Sequence, residues 1–309
     1  MGGSIIGWGS HLPELVVTNA DFAARLDTSD EWITERTGIR ERRMGGLTST
    51  MAIAAAKVAI DRAGIAPEEI DTLIVATTTP DQAIPATSSV IHAALGLRGG
   101  AFDLNAACAG FAYALVTADG LLRSGQRCVL VIGSDTLSSV TDQEDRSTAV
   151  LFGDGAAAVV IKADDSDHFL LAYDLGVDGT LAPVLYQDHG GYIHMDGREV
   201  FRRAVRAEVD SITTVLDHAG LSAADIALFV PHQANIRIIE AVNQRVGFDL
   251  AHTAVILDRT GNTSAASIPL ALVEAADSGR LRPGDRVLMS GFGAGMTWAS
   301  AIIEWGVSA

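Results

Sequence analysis

Cysteine is nearly absent: Cys108 and Cys128 are the only two in 309 residues. Two thiols make no disulfide framework, and such scarcity suits a reducing cytoplasm. Basic residues are also few, with 22 Lys and Arg against 38 Asp and Glu for a net charge of −16. A surface of that sign repels nucleic acid and anionic membrane, which argues against a DNA- or RNA-binding role. No apolar run approaches the roughly 18 residues that a membrane span needs. The N-terminus has no basic segment of the secretory kind. Met1-Gly2 resembles the start of a myristoylation motif, but Ile6 stands where that motif wants Ser or Thr. Metal-ligand spacings and phosphate-binding loops are missing too. What remains is a chain 48% apolar and only 19% charged, long enough for one large domain or two smaller ones. A soluble, cytoplasmic α/β enzyme is expected.

The chain is organised around the stretch 102–111, F-D-L-N-A-A-C-A-G-F, with Cys108 at its centre. It reads as a short buried strand turning into a helix of small residues, and Gly110–Arg123 carries a helical apolar period. A thiol at such a junction faces the unpaired N–H groups of the first helical turn, which favour the thiolate and predict a pKa below the usual value of about 8.5. That suits a nucleophile. Plain packing fits the segment equally well, since free cysteines are among the most buried residues.

From Thr48 the sequence says something twice. A helix ending in Ala63-Gly64 runs into a strand at 72–77, and a helix over 199–218 ending in Ala219-Gly220 runs into a strand at 227–230. Ala63 pairs with Ala219 at an offset of 156, held without a gap to Ile226. Later segments follow at 157 to 158, with Gly133 against Gly291. Each half reads as helix, strand, helix, strand, helix, strand, strand. A duplicated domain with two mostly parallel sheets is expected, divided at residues 1–163 and 164–309.

Sites form at the C-terminal ends of α/β strands, and the duplication places several polar groups there. Cys108 holds that position in the first half. The second half offers His232 after the strand, Asn262 in the turn G-N-T-S-A-A-S, and the loop Gly291-Phe292-Gly293-Ala294-Gly295. The loop is no dinucleotide site, because a strand-like run follows it rather than a helix with an acidic partner. Alone, His232 reads as a structural histidine and Asn262 as a turn residue; their shared placement with Cys108 argues for a site. Trp32 and Arg36 lie four apart on one helical face, an ordinary cation–π spacing.

The runs A-C-A-G-F, V-P-H-Q-A-N, G-N-T-S-A-A-S, G-F-G-A-G-M-T-W, S-D-E-W-I-T-E-R-T-G-I-R and D-R-S-T-A-V-L-F-G-D-G-A-A-A resemble, in order and along the whole chain, the signature segments of β-ketoacyl-acyl-carrier-protein synthase III. The resemblance implies the thiolase-like duplicated five-layer α/β/α/β/α fold and a homodimer. It implies a Cys108, His232 and Asn262 active site that takes an acyl group from an acyl-CoA onto the cysteine and condenses it with decarboxylating malonyl-acyl-carrier protein. The backbone N–H groups of Cys108 and Ala294 would form the oxyanion hole. Thr28, Trp32, Arg36 and Arg146 map to the CoA-binding positions, with Trp32 and Arg146 flanking the adenine. Ile84 and Phe292 map to the acyl pocket. No metal or redox cofactor is implied; the CoA thioester is a substrate.

Carrier proteins are acidic, so an acidic catalyst needs a local basic patch. Arg198, Arg202 and Arg206 recur at i, i+4 and i+8 on one helix face, and Arg203, Arg237 and Arg245 extend it. Three departures bear on substrate choice. Ile84 stands where one branch has a bulky aromatic that crosses the dimer, the segment 164–195 is short, and Gly45-Gly46 resembles a trimmed loop. Ala294 replaces a glycine but keeps a backbone donor. The rival readings are a secondary-metabolism relative that primes a polyketide or acylates oxygen or nitrogen, and a catalytically silent subunit.

Overall fold

The computed structural model describes residues 2–164 and 169–306. Residues 165–168, part of the short segment noted above, lie outside the described residues, as does Met1.

The first half contains strands β1 (Gly2–His11), β2 (Leu15–Thr18), β3 (Glu41–Met44), β4 (Thr72–Ala76), β5 (Gly100–Leu104), β6 (Cys128–Thr136) and β7 (Asp154–Asp164). Its helices are α1 (Asn19–Ala23), α2 (Asp30–Thr37), α3 (Thr48–Ala63), α4 (Thr87–Leu95), α5 (Gly110–Arg123) and α6 (Arg146–Ala149). The second half adds strands β8 (Leu170–Val177), β9 (Leu185–Gln187), β10 (Ile193–Met195), β11 (Leu228–Pro231), β12 (Asp285–Gly293) and β13 (Thr297–Trp305). Its helices are α7 (Gly197–Ala219), α8 (Ile236–Val246), α9 (Leu257–Thr260) and α10 (Ser267–Asp277). The expected division between 163 and 164 falls at the last residue of β7.

Local sequence explains the paired helices. α3 is rich in alanine, the best helix former, and stops at Gly64 with φ 64°; α7 stops at Gly220 with the same φ. At its start, α7 has the Asp196 carboxylate accepting from the N–H groups of Arg198 and Glu199. Apolar runs such as Val129–Ile132 are buried on both faces and form central strands.

One sheet runs β1-β7-β6-β4-β5 and the other β11-β12-β13-β8. Both are mixed rather than mostly parallel: β4 runs parallel to β5 and β6, and β11 to β12, while the other pairings are antiparallel. In the second half connectivity is one reason: a one-turn link joins β12 to β13, too short for the crossover of about a dozen residues that a parallel return needs. Among the described residues the second half has no full copy of β5, and an isolated bridge between Phe229 and Thr253 stands in its place.

The two sheets enclose α5 and α10. Alternate residues of each strand serve different layers, as with Ile74 and Ala76 facing the central helices and Leu73 and Val75 facing α3 and α4. On the far side α7 and α8 cover Phe229, Leu288 and Ile302. The result is five layers, α/β/α/β/α. The C-terminal ends of β5 and β11 and the loop after β12 meet along the seam between the halves.

Candidate active site

After β5 the chain makes one tight turn, Ala107–Ala109, before α5 begins. Ala107 sits in the left-handed region at φ 48°, and the Asn105 side-chain oxygen accepts its N–H at 3.1 Å. Ser264, at an offset of 157, repeats that backbone conformation at φ 50°. The two turns face each other, and the Cys108 thiol approaches the Ser264 hydroxyl at 3.4 Å. Burial pushes the Cys108 thiol up to about 12; the Ser264 hydroxyl opposes this, and the Asp135 carboxylate adds to it. That reverses the shift expected from the helix terminus, because desolvation of a sulfur at the seam outweighs it. The resting group is a thiol.

Asp135, near the end of β6, ties the segment after β4 to the turn at Ser264. One carboxylate oxygen accepts from the hydroxyls of Thr77, Thr78 and Thr79 and from the N–H groups of Thr78 and Thr79, at 2.7 to 3.1 Å. The other accepts the N–H of Ala265 at 2.9 Å, across the seam. A fully buried carboxylate is tolerated only with donors of this number.

His232 follows β11, and its N–H donates to the Ser290 carbonyl at 2.7 Å. Its Nδ1 lies 2.6 Å from the Ser267 hydroxyl, and Phe292 meets the ring edge-on with centroids 5.8 Å apart. Burial lowers the imidazole pKa to about 3, so the ring is neutral. The Gln233 side chain braces this segment by donating to the carbonyls of Pro231 and Ala254 and accepting the N–H of Ile256. Asn262 is held through its backbone by Leu151 and Gly153. Its side-chain oxygen accepts the Ser264 N–H at 2.9 Å, which leaves the NH₂ as the free donor.

Cys108, His232, Asn262 and Ala294 all line one cavity of about 210 Å³. Leu137, Leu151, Phe152 and Phe292 give it an apolar wall, and Leu185, Ile193 and Met195 of the β9–β10 hairpin cover one side. In the 291–295 run, Gly291 and Gly293 answer close approach, and Gly295 a left-handed φ of 71°. A Cβ on Gly293 would lie 2.5 Å from the Cys108 nitrogen, and one on Gly291 3.2 Å from the His232 Cβ. A duplicated five-layer fold with a thiol, a neutral imidazole and a carboxamide on one apolar cavity narrows the possibilities to condensing and acyl-transfer chemistry.

Comparison with known proteins decides among them. Family models of 3-oxoacyl-[acyl-carrier-protein (ACP)] synthase III match residues 102–179 and, for its C-terminal part, 216–305. The chain is 48% identical over 307 residues to β-ketoacyl-[acyl-carrier-protein] synthase III 1 of Bacillus anthracis, covering 98% of each. It is 49% identical to the Erythrobacter litoralis synthase III, covering 98% of this chain and 99% of that one. The chain belongs to the β-ketoacyl-acyl-carrier-protein synthase III family. It is an acyltransferase-class condensing enzyme of fatty acid synthesis initiation. Among solved structures, the Aquifex aeolicus synthase III superposes with a TM-score of 0.97 at 45% identity, covering 98% of this chain and 100% of that one. The priming β-ketosynthase of the R1128 polyketide pathway gives 0.94 at 37%, covering 100% and 97%.

The remaining residues singled out in this synthase III chain lie around the cavity mouth or away from it. Trp32 on α2 is touched by two guanidiniums, Arg36 at 4.7 Å and Arg146 at 5.0 Å from the ring centroid. Arg146 also donates to the Asp27 carbonyl, and the buried Thr28 hydroxyl has no partner among the described residues. None of the four lines the cavity itself. Asn235 links the regions, since it lines the cavity while donating to the Arg36 carbonyl at 2.9 Å. Arg198, Arg202 and Arg206 are exposed along α7, whose Gly197 and Phe201 form part of the cavity wall. Arg245 joins Arg202 and Arg206 on a shallow groove, and Arg237 lies 5.9 Å from the Phe201 ring. Several of these charges are partnered: Glu199 bonds Arg202 and Arg203, and Asp210 pairs with Arg206.

Ile84 is 88% exposed in the 81–85 loop and does not line this chain's own cavity. The loop projects outward, so an acyl contact for Ile84 would have to be in a second copy. Sequence reading also missed Ser264, Ser267, Asp135 and the β9–β10 hairpin. Both serines stand inside the quoted G-N-T-S-A-A-S run, but which groups they face is decided by the packing of the halves.

Proposed function

We propose that Cys108 is the nucleophile, and that His232 and Asn262 are the donors for decarboxylation. The Cys108 sulfur attacks the carbonyl carbon of a short acyl-CoA thioester; the C–S bond to CoA breaks, and the proton leaves with the CoA thiol. Malonyl-acyl-carrier protein then loses CO₂, and the resulting enolate oxygen accepts hydrogen bonds from His232 and the Asn262 NH₂. The carbanion attacks the acyl carbon and expels the Cys108 thiolate, giving a 3-oxoacyl-carrier protein. The N–H groups of Cys108 and Ala294 stabilise the tetrahedral oxyanions. A neutral imidazole suits a donor that must not quench the carbanion with an acidic proton.

The CoA adenine is assigned to Trp32, with Arg36, Arg146 and Thr28 around it, and the acidic carrier protein to the α7 arginines with Arg237 and Arg245. Phe292 bounds the acyl pocket. Ile84 reaches the pocket of a second copy in a cytoplasmic homodimer, where an aliphatic group in place of an aromatic leaves room for a longer or branched starter. No metal or redox cofactor enters this scheme.

The observation that carries this reading is the convergence of Cys108, His232 and Asn262 on one cavity from opposite halves of the chain. The test is to incubate the protein with a panel of acyl-CoAs, look for a mass adduct on Cys108, and then add malonyl-carrier protein. Adduct followed by CO₂ release is expected. Adduct without CO₂ indicates acyl transfer to oxygen or nitrogen, and no adduct indicates a silent subunit. The likeness to the R1128 priming β-ketosynthase favours polyketide priming as a second reading. Preference for a polyketide over a fatty-acid carrier protein in the same assay would establish it.

A further inference from the structure

We infer that Ser267 is a positioning residue that holds His232 in its Nε2–H form, so that the imidazole presents a proton rather than a lone pair to the cavity. The inference rests on the donor role given to His232 above and names the group that sets it.

Ser267 is fully buried as the first residue of α10, and its hydroxyl oxygen lies 2.6 Å from His232 Nδ1. The same oxygen accepts the backbone N–H of Gln233 at 3.3 Å. Among the described residues the hydroxyl meets no acceptor other than Nδ1. Two arrangements are open. If Ser267 donates to Nδ1, its proton is satisfied, its oxygen still serves Gln233, and the ring proton sits on Nε2. If Nδ1 instead carries the proton and donates, the serine proton is orphaned in a site closed to water, which costs the full desolvation of that hydroxyl. The first arrangement pairs every group.

The ring has little freedom to escape this choice. His232 is almost fully buried, its edge packs on Phe292, and its backbone is pinned to Ser290. Because burial keeps the imidazole neutral, the tautomer is the one remaining variable. In a neutral imidazole one nitrogen donates and the other accepts, and the partner of one fixes the role of the other. A hydroxyl on Nδ1 therefore makes Nε2 the donor.

The test is the nitrogen NMR spectrum of selectively ¹⁵N-histidine-labelled protein, with the His232 signals assigned by their loss in His232→Asn. The expected wild-type pattern is a protonated Nε2 and an unprotonated, hydrogen-bonded Nδ1. Ser267→Ala is expected to shift Nδ1 and to mix the two tautomers. It should also lower malonyl-carrier-protein decarboxylation about 10-fold, the scale of one buried hydrogen bond, with a smaller effect on acyl-Cys108 formation. Ser267→Thr, which keeps a hydroxyl, should restore spectrum and rate together. A wild-type Nδ1–H pattern overturns the inference, and needs no variant to fold. So does a Ser267→Ala protein whose ring signals are unmoved. If the spectrum changes as expected while decarboxylation does not, Ser267 still holds the ring and it is the donor role of His232 that fails.

Discussion

Replacing Gly293 by alanine tests how tightly the seam holds the nucleophile. Gly293 has φ −158°, an extended conformation open to any residue, so the glycine is there for space and not for its dihedral freedom. An added Cβ would lie 2.5 Å from the Cys108 nitrogen and 2.6 Å from the Ala107 Cβ. Neither neighbour is the far end of a flexible side chain; both belong to the tight turn that carries the sulfur. Opening the 2.5 Å contact to the ordinary 3.4 Å must move that turn, or the end of β12, by most of an ångström. Overpacking of this kind costs about 1–3 kcal/mol of stability. A displacement of about 1 Å at the reacting atoms costs on the order of 100-fold in rate, and the moved N–H groups are the proposed oxyanion donors. Gly293→Ala is therefore expected to fold with a lowered Tm and to form acyl-Cys108 from a short acyl-CoA about 100-fold more slowly. The assay is the time course of the mass adduct, read beside a thermal melt. Gly179→Ala, where a Cβ meets nothing within 4 Å, is the control. If Gly293→Ala loads within about threefold of wild type with an unchanged melt, the steric reasoning is wrong.

Three further outcomes are expected. Burial raises the Glu208 carboxyl to about 8 on α7, and one of its oxygens has no partner among the described residues. Between about pH 4.5 and 8 the folded chain then holds a proton that the unfolded chain has lost, so stability should fall as pH rises through that window, by at most about 1.4 kcal/mol per unit. Denaturant titrations at several pH values should show this slope in the wild type and its loss in Glu208→Gln. Charge reversal at Arg202 and Arg206, both well exposed, should raise the KM for the carrier-protein substrate severalfold at low salt while acyl-CoA loading survives; equal loss of both half-reactions would assign the patch another role. Trp32→Ala removes the ring under two guanidiniums. It should raise the KM for acyl-CoA about 5- to 30-fold, as loss of one desolvated stacking contact would, and leave malonyl-carrier-protein decarboxylation unchanged in steady-state kinetics.

Much of the architecture was legible because the chain repeats itself. α3 and α5 were anticipated to the residue, and the offset of 156 to 158 led directly to the facing turns at Cys108 and Asn262. Strand direction was not legible: nothing in the apolar period of 297–305 says that a one-turn link folds it back antiparallel on β12. The missing copy of β5 hid for a similar reason, since one isolated bridge at Thr253 leaves no periodic trace. At the site, residue types were readable but protonation was not. The helix terminus at Cys108 argues for a thiolate, and only the packing of the second half against it reveals a desolvation large enough to reverse the sign. The hydroxyls of Ser264 and Ser267 and the carboxylate of Asp135 draw their meaning from contacts 130 or more positions apart or from a ring they touch edgewise.

The twin left-handed residues, Ala107 and Ser264, say something about how such a centre arises. One copy is followed by the sulfur of Cys108, and the other by Ala265, whose backbone N–H donates to Asp135. The same bend thus serves as a reagent holder in one half and as a fastener in the other. At this bend the halves differ in the side chain that follows, Cys108 against Ala265, while the left-handed residue before it keeps nearly the same φ.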